Sequence, residues 1–509
     1  VQHMEPDHSA NIVHFLKTYP EAVVVSGSGM AGLGDAAPAW IRDMHTLRSL
    51  AHIPEYFVLG CCLFIGLNVS TAHPFPWTIG FGGLFGLLDE ILKALLPTRE
   101  FDLGDWCWDL TGAALAALLC AAVLAGSAGS ALGNTPETAQ ELTASCTFQS
   151  NGKSKDYSLM TDSDLGTFFP FKESKGTLTI TAPSPIAGIS VMLFDKYGKP
   201  LSYDLQVPGE AEEWVTVDKG GTYLAEWHAL ETPSEKVRLS ATCAERIRIA
   251  EIRLFGPGEK PEEVQQWQTL EKADMMLLSA HPDDEILWFA GLLPTYAGER
   301  GYRVQVTVLA PTGGMRKLEL LSAIWHCGVK YYPELLGFID KNGKNVEKQY
   351  SLWRGKNRVL SRVVEVVRKH QPEVLVTHGE KGEYGHGAHK LAADAAKNAV
   401  KLAANAKKYT DSVDRYGTWQ VKKLYLHEYE KNPIPCDWDQ PLSAFGGKTG
   451  YEVAAEAFAF HASQIKRNWN FEVHGKHDNA LFGLYYTDVG PDTGIGDMME
   501  HIPTEADHI

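Results

Sequence analysis

Two short stretches carry the residue types that metal-assisted hydrolysis requires. Ala280-His281-Pro282-Asp283-Asp284-Glu285 packs an imidazole and three carboxylates together, and Tyr384-Gly385-His386-Gly387-Ala388-His389 places two imidazoles three positions apart. Histidines at i and i+3 at a helix start project from one face. A set of two His and one Asp suits zinc, and leaving one coordination position open is what a catalytic site needs. No Cys-x-x-Cys and no Cys/His pairing at zinc-finger spacing occurs, so cysteine does not build such a site.

The surrounding pattern positions these groups. Asp274 to Ala280 is a continuous apolar run, as in a buried parallel strand, and Val304 to Leu309 and Glu373 to Thr377 repeat it. Helical patterns lie between them, at Leu287 to Gly298, Arg316 to Cys327 and Leu360 to Lys369. Alternating strands and helices predict a Rossmann-like α/β domain with a mostly parallel sheet, whose sites form at the carboxyl ends of strands. The first strand runs straight into His281. The later one ends at Thr377-His378, followed by a glycine-rich loop to His389 and an alanine-rich helix from Lys390.

The paired motifs resemble the PIG-L (LmbE-like) N-deacetylase family over about residues 270–509, within a domain expected at 265–509. Arg316-x-x-Glu319, His461-x-Ser463-Gln464 and Phe482-Gly-Leu-Tyr485 extend the resemblance. It implies that His281, Asp284 and His389 hold one zinc ion and that Asp283 is the general base. It implies that His386 serves the oxyanion or the leaving amine, and that Tyr384 can polarise the same carbonyl. Arg316 is a candidate for substrate hydroxyls or phosphate, while His461 and Gln464 are expected to support or pack. The reaction would release acetate from an N-acetylglucosamine-type glycan. One departure is Ala388, where the family often has Asp; it is expected to affect substrate or the surroundings of the ligands rather than metal binding.

The chain has 509 residues, and 47 basic against 63 acidic side chains give a formal net charge of −16. That balance argues against a nucleic-acid partner. The mean hydropathy of −0.18 excludes an all-membrane protein but leaves room for a short membrane section. Three apolar stretches, Ile53 to Val69, Phe75 to Leu96 and Trp106 to Leu132, are each about long enough to span a core of roughly 30 Å. They predict an α-helical transmembrane domain over 51–132, preceded by a juxtamembrane segment over 1–50. In that segment Gly27-x-Gly29-x-x-Gly32 lacks the βαβ context of a dinucleotide site. His52, Glu55, Asp89, Glu90, Pro97, Arg99, Asp105 and Asp109 fall on one side of the stretches and resemble the VanZ-like family, associated with resistance to glycopeptides such as teicoplanin. Arg42, Arg48, Lys93 and Arg99 place that side inside. The expected location is a multi-pass cell-membrane protein with extracytoplasmic C-terminal domains.

Between these regions, residues 141–258 read as an antiparallel β-sandwich: short runs of β-formers separated by turns such as Lys219-Gly220-Gly221. This part resembles a galactose-binding-like (discoidin-type) jelly roll. Trp214, Tyr223 and Trp227 are either core or sugar-stacking residues, and Cys146 and Cys243 are candidates for a disulfide. The sequence therefore predicts a membrane-anchored zinc deacetylase acting on cell-surface N-acetylated sugars. The competing reading is a non-catalytic surface binder of glycan or glycopeptide, linked to resistance through the VanZ-like section.

Overall fold

The computed structural model describes residues 56–63, 74–94, 106–107, 109–120, 137–151, 155–171, 176–195, 198–210, 213–494 and 496–503. The chain divides into two units, Val1–Thr135 and Pro136–Ile509.

In the first unit, helix α1 spans Pro74–Ala94, and residues 56–63 and 109–120 are also helical. Among the described residues no helix is long and apolar enough to cross a membrane. α1 has the length, 21 residues, but Gly80, Gly82, Gly83, Gly86 and the Asp89-Glu90 pair dilute its apolar content. This overturns the expected helical membrane section and, with it, the expected multi-pass location. The small residues serve helix packing instead: Gly82 lies against Ala113 and Gly83 against Leu110, and Trp106 Nε1 donates to Gly83 O at 2.8 Å. Residues 1–50 with their glycine motif, and His52, Glu55, Pro97, Arg99 and Asp105, lie outside the described residues.

The second unit opens with seven antiparallel strands: β1 Thr147–Ser150, β2 Phe169–Pro170, β3 Thr177–Leu193, β4 Tyr203–Pro208, β5 Trp214–Gly220, β6 Ala225–Ala241 and β7 Arg248–Phe255. β3 and β6 are long enough to serve two layers. Their register shifts near Thr181 and Ile186. On one side of the shift they join β1 and β4; on the other, β3 joins β7. Leu178, Ile180 and Leu239 from one half and Ile189, Ile252 and Leu254 from the other share one core. Gly188 is required where Trp227 lies across the strand, since a Cβ there would fall 1.9 Å from the indole. Cys146 and Cys243 are free. Cys146 precedes the Thr147↔Thr181 pair, while Cys243 lies beyond the Thr177↔Ser240 pair at the other end of the ladder. The strands thus hold them apart, beyond disulfide reach.

The α/β part follows. Its strands are β8 Met275–Ser279, β9 Val304–Val308, β10 Glu334–Leu335, β11 Val374–Thr377, β12 Lys423–His427 and β13 Pro433–Pro435. A small hairpin follows (β14 Pro441–Leu442, β15 Lys448–Thr449), then β16 Leu481–Thr487. The helices are α2 Asp284–Leu287, α3 Gly314–His326, α4 Val346–Leu352, α5 Lys356–His370, α6 Gly387–Ala403, α7 Thr410–Tyr416, α8 Gly450–Phe458 and α9 Ala462–Ile465. The main sheet has the order β10-β9-β8-β11-β12-β16-β13, parallel through β12 and antiparallel at β16 and β13. Every residue of β8, β9 and β11 is buried, which explains their unbroken apolar runs. The chain winds outward from β8 in both directions, so the topological switch point lies between β8 and β11.

The sandwich packs directly on this domain. Lys317 of α3 reaches Asp195 at 2.5 Å, and both side chains are largely buried. Tyr223 stacks beside Tyr332 at 4.5 Å and hydrogen-bonds Thr269 at 3.2 Å. Of the three sandwich aromatics, Tyr223 thus belongs to the junction, and half-buried Trp227 packs against Phe255 beside Ala139 and Val264. Trp214 carries the Arg238 guanidinium over its ring at 4.3 Å.

Candidate metal centre

Both motifs arrive at the switch point. β8 ends at Ser279, and the chain turns through His281 into the single-turn helix α2. β11 ends at Thr377, and the loop that follows is folded tightly over the start of α6. At Gly382, with φ of 65°, a Cβ would meet His386 O at 2.8 Å. His386 is the N-cap of α6 and His389 lies in its first turn, fully buried.

Three side chains converge here, through His281 Nδ1, the two Asp284 carboxylate oxygens and His389 Nε2. His281 Nδ1 and Asp284 Oδ2 are 3.3 Å apart, His389 Nε2 and Asp284 Oδ1 are 3.4 Å apart, and His389 Nε2 and His281 Nδ1 are 3.2 Å apart. Zinc–nitrogen and zinc–oxygen distances of about 2.0–2.1 Å give a tetrahedral edge of about 3.3 Å. The spacing and chemistry of this set fit a zinc-sized cation, with an open position left over. His386 adds a ring nitrogen within 4.8 Å of those of His281 and His389.

Around these donors lies a layer that fixes their orientation. Glu383, fully buried, accepts from Nδ1 of His389 at 2.7 Å, of His378 at 2.7 Å and of His427 at 2.6 Å. Donation from Nδ1 leaves the Nε2 lone pair of His389 facing inward, the arrangement expected of a ligand. Burial opposes a charge on Glu383, yet the imidazoles outweigh it and hold its carboxyl well below the usual range. Asp284 behaves alike: burial is overcome by His389, His378 and His281. Asp284 also accepts from the backbone N–H of Ala280 and His281 and from Trp288 Nε1. His378 lies 3.3 Å from Asp284 but takes the Ala280 N–H on Nε2 and donates from Nδ1, so it braces the site from behind. His427 donates from Nε2 to Asp478 O at 2.9 Å.

Asp283 stands beside the donors with backbone φ of 111°, a conformation that L residues rarely adopt and that must be held. Its N–H donates to Glu285, whose other oxygen accepts from His461 Nε2 at 2.7 Å. Its carboxylate pairs with Arg316 at 2.8 Å. Burial pushes the Asp283 carboxyl up to about 7 against the pull of that guanidinium. Burial, then the neighbouring His389 and His281 rings, push His386 down to about 3, so it is neutral, with its buried Nδ1 left without a partner.

The structure brings together His281, Asp283, Asp284, His386 and His389. Tyr384 borders them, its ring 5.3 Å from His389, and burial pushes its hydroxyl pKa well up. Arg316 is engaged by Asp283, by Pro282 O and, at 3.4 Å, by Asp340, so it acts first on the base. Glu319 accepts from the N–H and Oγ of Ser463, which anchors α9 and His461 behind the site. Ala388 is buried in the helix core. Sequence reasoning missed Glu383 and His427. His427 carried a usable signal, a histidine at the end of a parallel strand, as at His378. Glu383 looked like any polar residue in a glycine-rich loop.

An open α/β sheet with an N/O donor set and an adjacent carboxylate at its switch point defines a candidate hydrolase of the metal-assisted kind. The chain belongs, through its C-terminal part, to the family described as PIG-L: GlcNAc-PI de-N-acetylase, which matches residues 276–400. It is similar to the 1D-myo-inositol 2-acetamido-2-deoxy-alpha-D-glucopyranoside deacetylase 1 of Frankia alni, 30% identical over 205 residues, 34% of this chain and 69% of that one. The protein of the same name from Catenulispora acidiphila is 29% identical over 210 residues, 36% of this chain, and the match spans only 64% of that relative's length. Among solved structures, N,N'-diacetylchitobiose deacetylase from Pyrococcus horikoshii aligns at a TM-score of 0.30 and 18% identity, over 38% of this chain and 71% of that one.

Proposed function

We propose that the α/β domain is a zinc-dependent N-deacetylase that removes the acetyl group from N-acetylglucosamine-type sugars. The observation that carries this reading is the close approach of His281 Nδ1, the Asp284 carboxylate and His389 Nε2, with separations of 3.3 Å to one Asp284 oxygen, 3.4 Å to the other and 3.2 Å between the nitrogens, and Asp283 beside them. Two relatives named for deacetylation of a 2-acetamido-2-deoxy-glucopyranoside support the substrate class. Zinc, when bound, supplies a Lewis acid that activates water and polarises the acetamide carbonyl.

The chain's own residues do the rest. Asp283 takes the proton of the attacking water on its carboxylate as the water oxygen bonds to the carbonyl carbon. Neutral His386 donates its ring N–H to the developing oxyanion. The C–N bond then breaks, and the proton held by Asp283 passes to the leaving amine, giving free amine and acetate. Glu383 and His461, through His389 and Glu285, keep the donors and the base from turning away.

The test is acetate release by the full chain loaded with zinc, on N-acetylglucosamine and its glycosides, beside Asp283→Asn. The reading requires bound zinc in both proteins and release only in the first. Stoichiometric zinc with no acetate from any N-acetylated sugar would refute it.

A further inference from the structure

The first turn of α3 has two faces, and they are held by different parts of the chain. Residues three apart on a helix share a face. Arg316 and Glu319 form one such pair. Arg316 reaches Asp283 at 2.8 Å and Pro282 O, and Glu319 accepts from the N–H and Oγ of Ser463 at 2.7 and 2.6 Å. Gly314 and Lys317 form the other pair, and the sandwich holds both. A Cβ at Gly314 would fall 2.6 Å from the Phe194 ring and 2.9 Å from Asp195 O, while Lys317 Nζ donates to the Asp195 carboxylate at 2.5 Å. Phe194 and Asp195 directly follow β3 and are themselves fixed. The Phe194 N–H donates to Arg248 O of β7 at 2.8 Å, its ring lies 4.7 Å from that of Phe168, and Asp195 accepts the Gly198 N–H at 2.6 Å. The residue before α3 offers no such anchor: Gly313 has φ of 82°, and a Cβ there would meet no atom within 4 Å. Arg316 Nε is buried and makes no hydrogen bond, so the place of the guanidinium depends on the backbone that carries it.

We propose that Phe194 and Asp195, on the sandwich, are positioning residues of the catalytic centre: by gripping Gly314 and Lys317 they fix the first turn of α3 and, with it, the Arg316 guanidinium against Asp283. The proposal rests on the deacetylase reading for what that placement does. Asp283 is held at its N–H by Glu285 and at its carboxylate by Arg316, so the guanidinium is what aims the base. A helix start that drifts carries the guanidinium with it and lets the carboxylate swing. Misplacing a reacting group by about 1 Å can cost on the order of a hundredfold in rate. The sandwich is thereby a working part of the centre, acting through one turn of helix.

The test is steady-state turnover of N-acetylglucosamine by the zinc-loaded full chain, with Lys317→Met and, keeping the ion pair, Phe194→Ala. Each should lower kcat about tenfold and shift KM less than about twofold. Lys317→Arg, which retains the cation, should keep most of kcat. In an Arg316→Met background neither substitution should lower kcat further. Additive losses there, or a lower melting transition with kcat intact, would overturn the proposal while leaving deacetylation standing. Placement is also read without turnover, from the nuclear magnetic resonance signal of the Arg316 guanidinium, identified by its loss in Arg316→Met. Lys317→Met and Phe194→Ala should both shift that signal. If no N-acetylated sugar is turned over and the signal still shifts, the deacetylase reading fails and the positioning stands. A signal that neither substitution moves overturns the positioning.

Discussion

Glu383 and His389 meet at 2.7 Å, both fully buried, and the same carboxylate oxygen is 2.7 Å from His378. One carboxylate thus sets the tautomer of a proposed ligand and of the histidine behind it. Glu383→Gln keeps the shape but offers one acceptor oxygen in place of two. Zinc affinity, measured by competition with a chelator, should fall about 10–100-fold. An unchanged affinity would show that the donors need no such brace.

Arg316 stabilises the charged form of Asp283, opposing the burial that pushes its carboxyl up to about 7. A general base works deprotonated, so activity rises with pH through its pKa. Removing the guanidinium raises that pKa. Arg316→Met should therefore move the acid limb of the kcat/KM profile to higher pH. A limb that stays in place would assign the limb to another group.

On the proposed reading, zinc would bind the folded donors and not the dispersed ones, and would therefore stabilise the fold. At a free concentration of a hundred times Kd the gain is about 2.7 kcal/mol. Calorimetric melting should show a higher transition for the α/β domain with zinc than after chelation. His389→Ala should abolish that difference.

Lys317 and Asp195 join the two parts of the C-terminal unit with side chains 12% and 10% exposed. Lys317→Met removes the ammonium from beside the Asp195 carboxylate in a closed junction, while Asp195 still accepts from the Gly198 N–H. The expected loss is about 3–5 kcal/mol, seen as a lower melting transition. Lys317→Met with Asp195→Leu should recover most of it.

Glu334 accepts from His370 at 2.9 Å and Lys369 at 2.5 Å. Burial opposes its ionisation, but these partners prevail and hold it at about 2. Its folded pKa lies below its ordinary value of 4.5, so its contribution is complete above pH 4.5 and is lost as pH falls toward 2. Glu334→Gln should cost on the order of 2–3 kcal/mol at pH 7 and little near pH 2 in denaturant titrations.

The α/β part was legible because its strands are buried on both faces. Met275 to Ser279 and Val304 to Val308 read as unbroken apolar runs, and the residues following β8 and β11 are the chemical ones. The sandwich was legible from its turns, but not the register of β1 and β6 on β3, which sets Cys146 and Cys243 at opposite ends of the ladder. The N-terminal unit misled. Apolar runs rich in glycine and alanine match a membrane span by composition, yet the same residues let helices approach closely, as Gly82 does with Ala113. Glu383 could not be read in advance, because a loop glutamate becomes a buried acceptor only through partners on other strands.

The three histidines gathered by Glu383 come from the end of β11, the start of α6 and the end of β12, and His427 is itself pinned by the carbonyl of Asp478. A nascent chain that has exposed His281, Asp284 and His389 carries Glu383 as well, but not yet His427, which holds the other oxygen of that carboxylate, nor the Asp478 carbonyl that pins His427. On the metal-site reading, firm cation capture would wait for the region around residue 478, and a chain truncated before it would hold the ion more weakly.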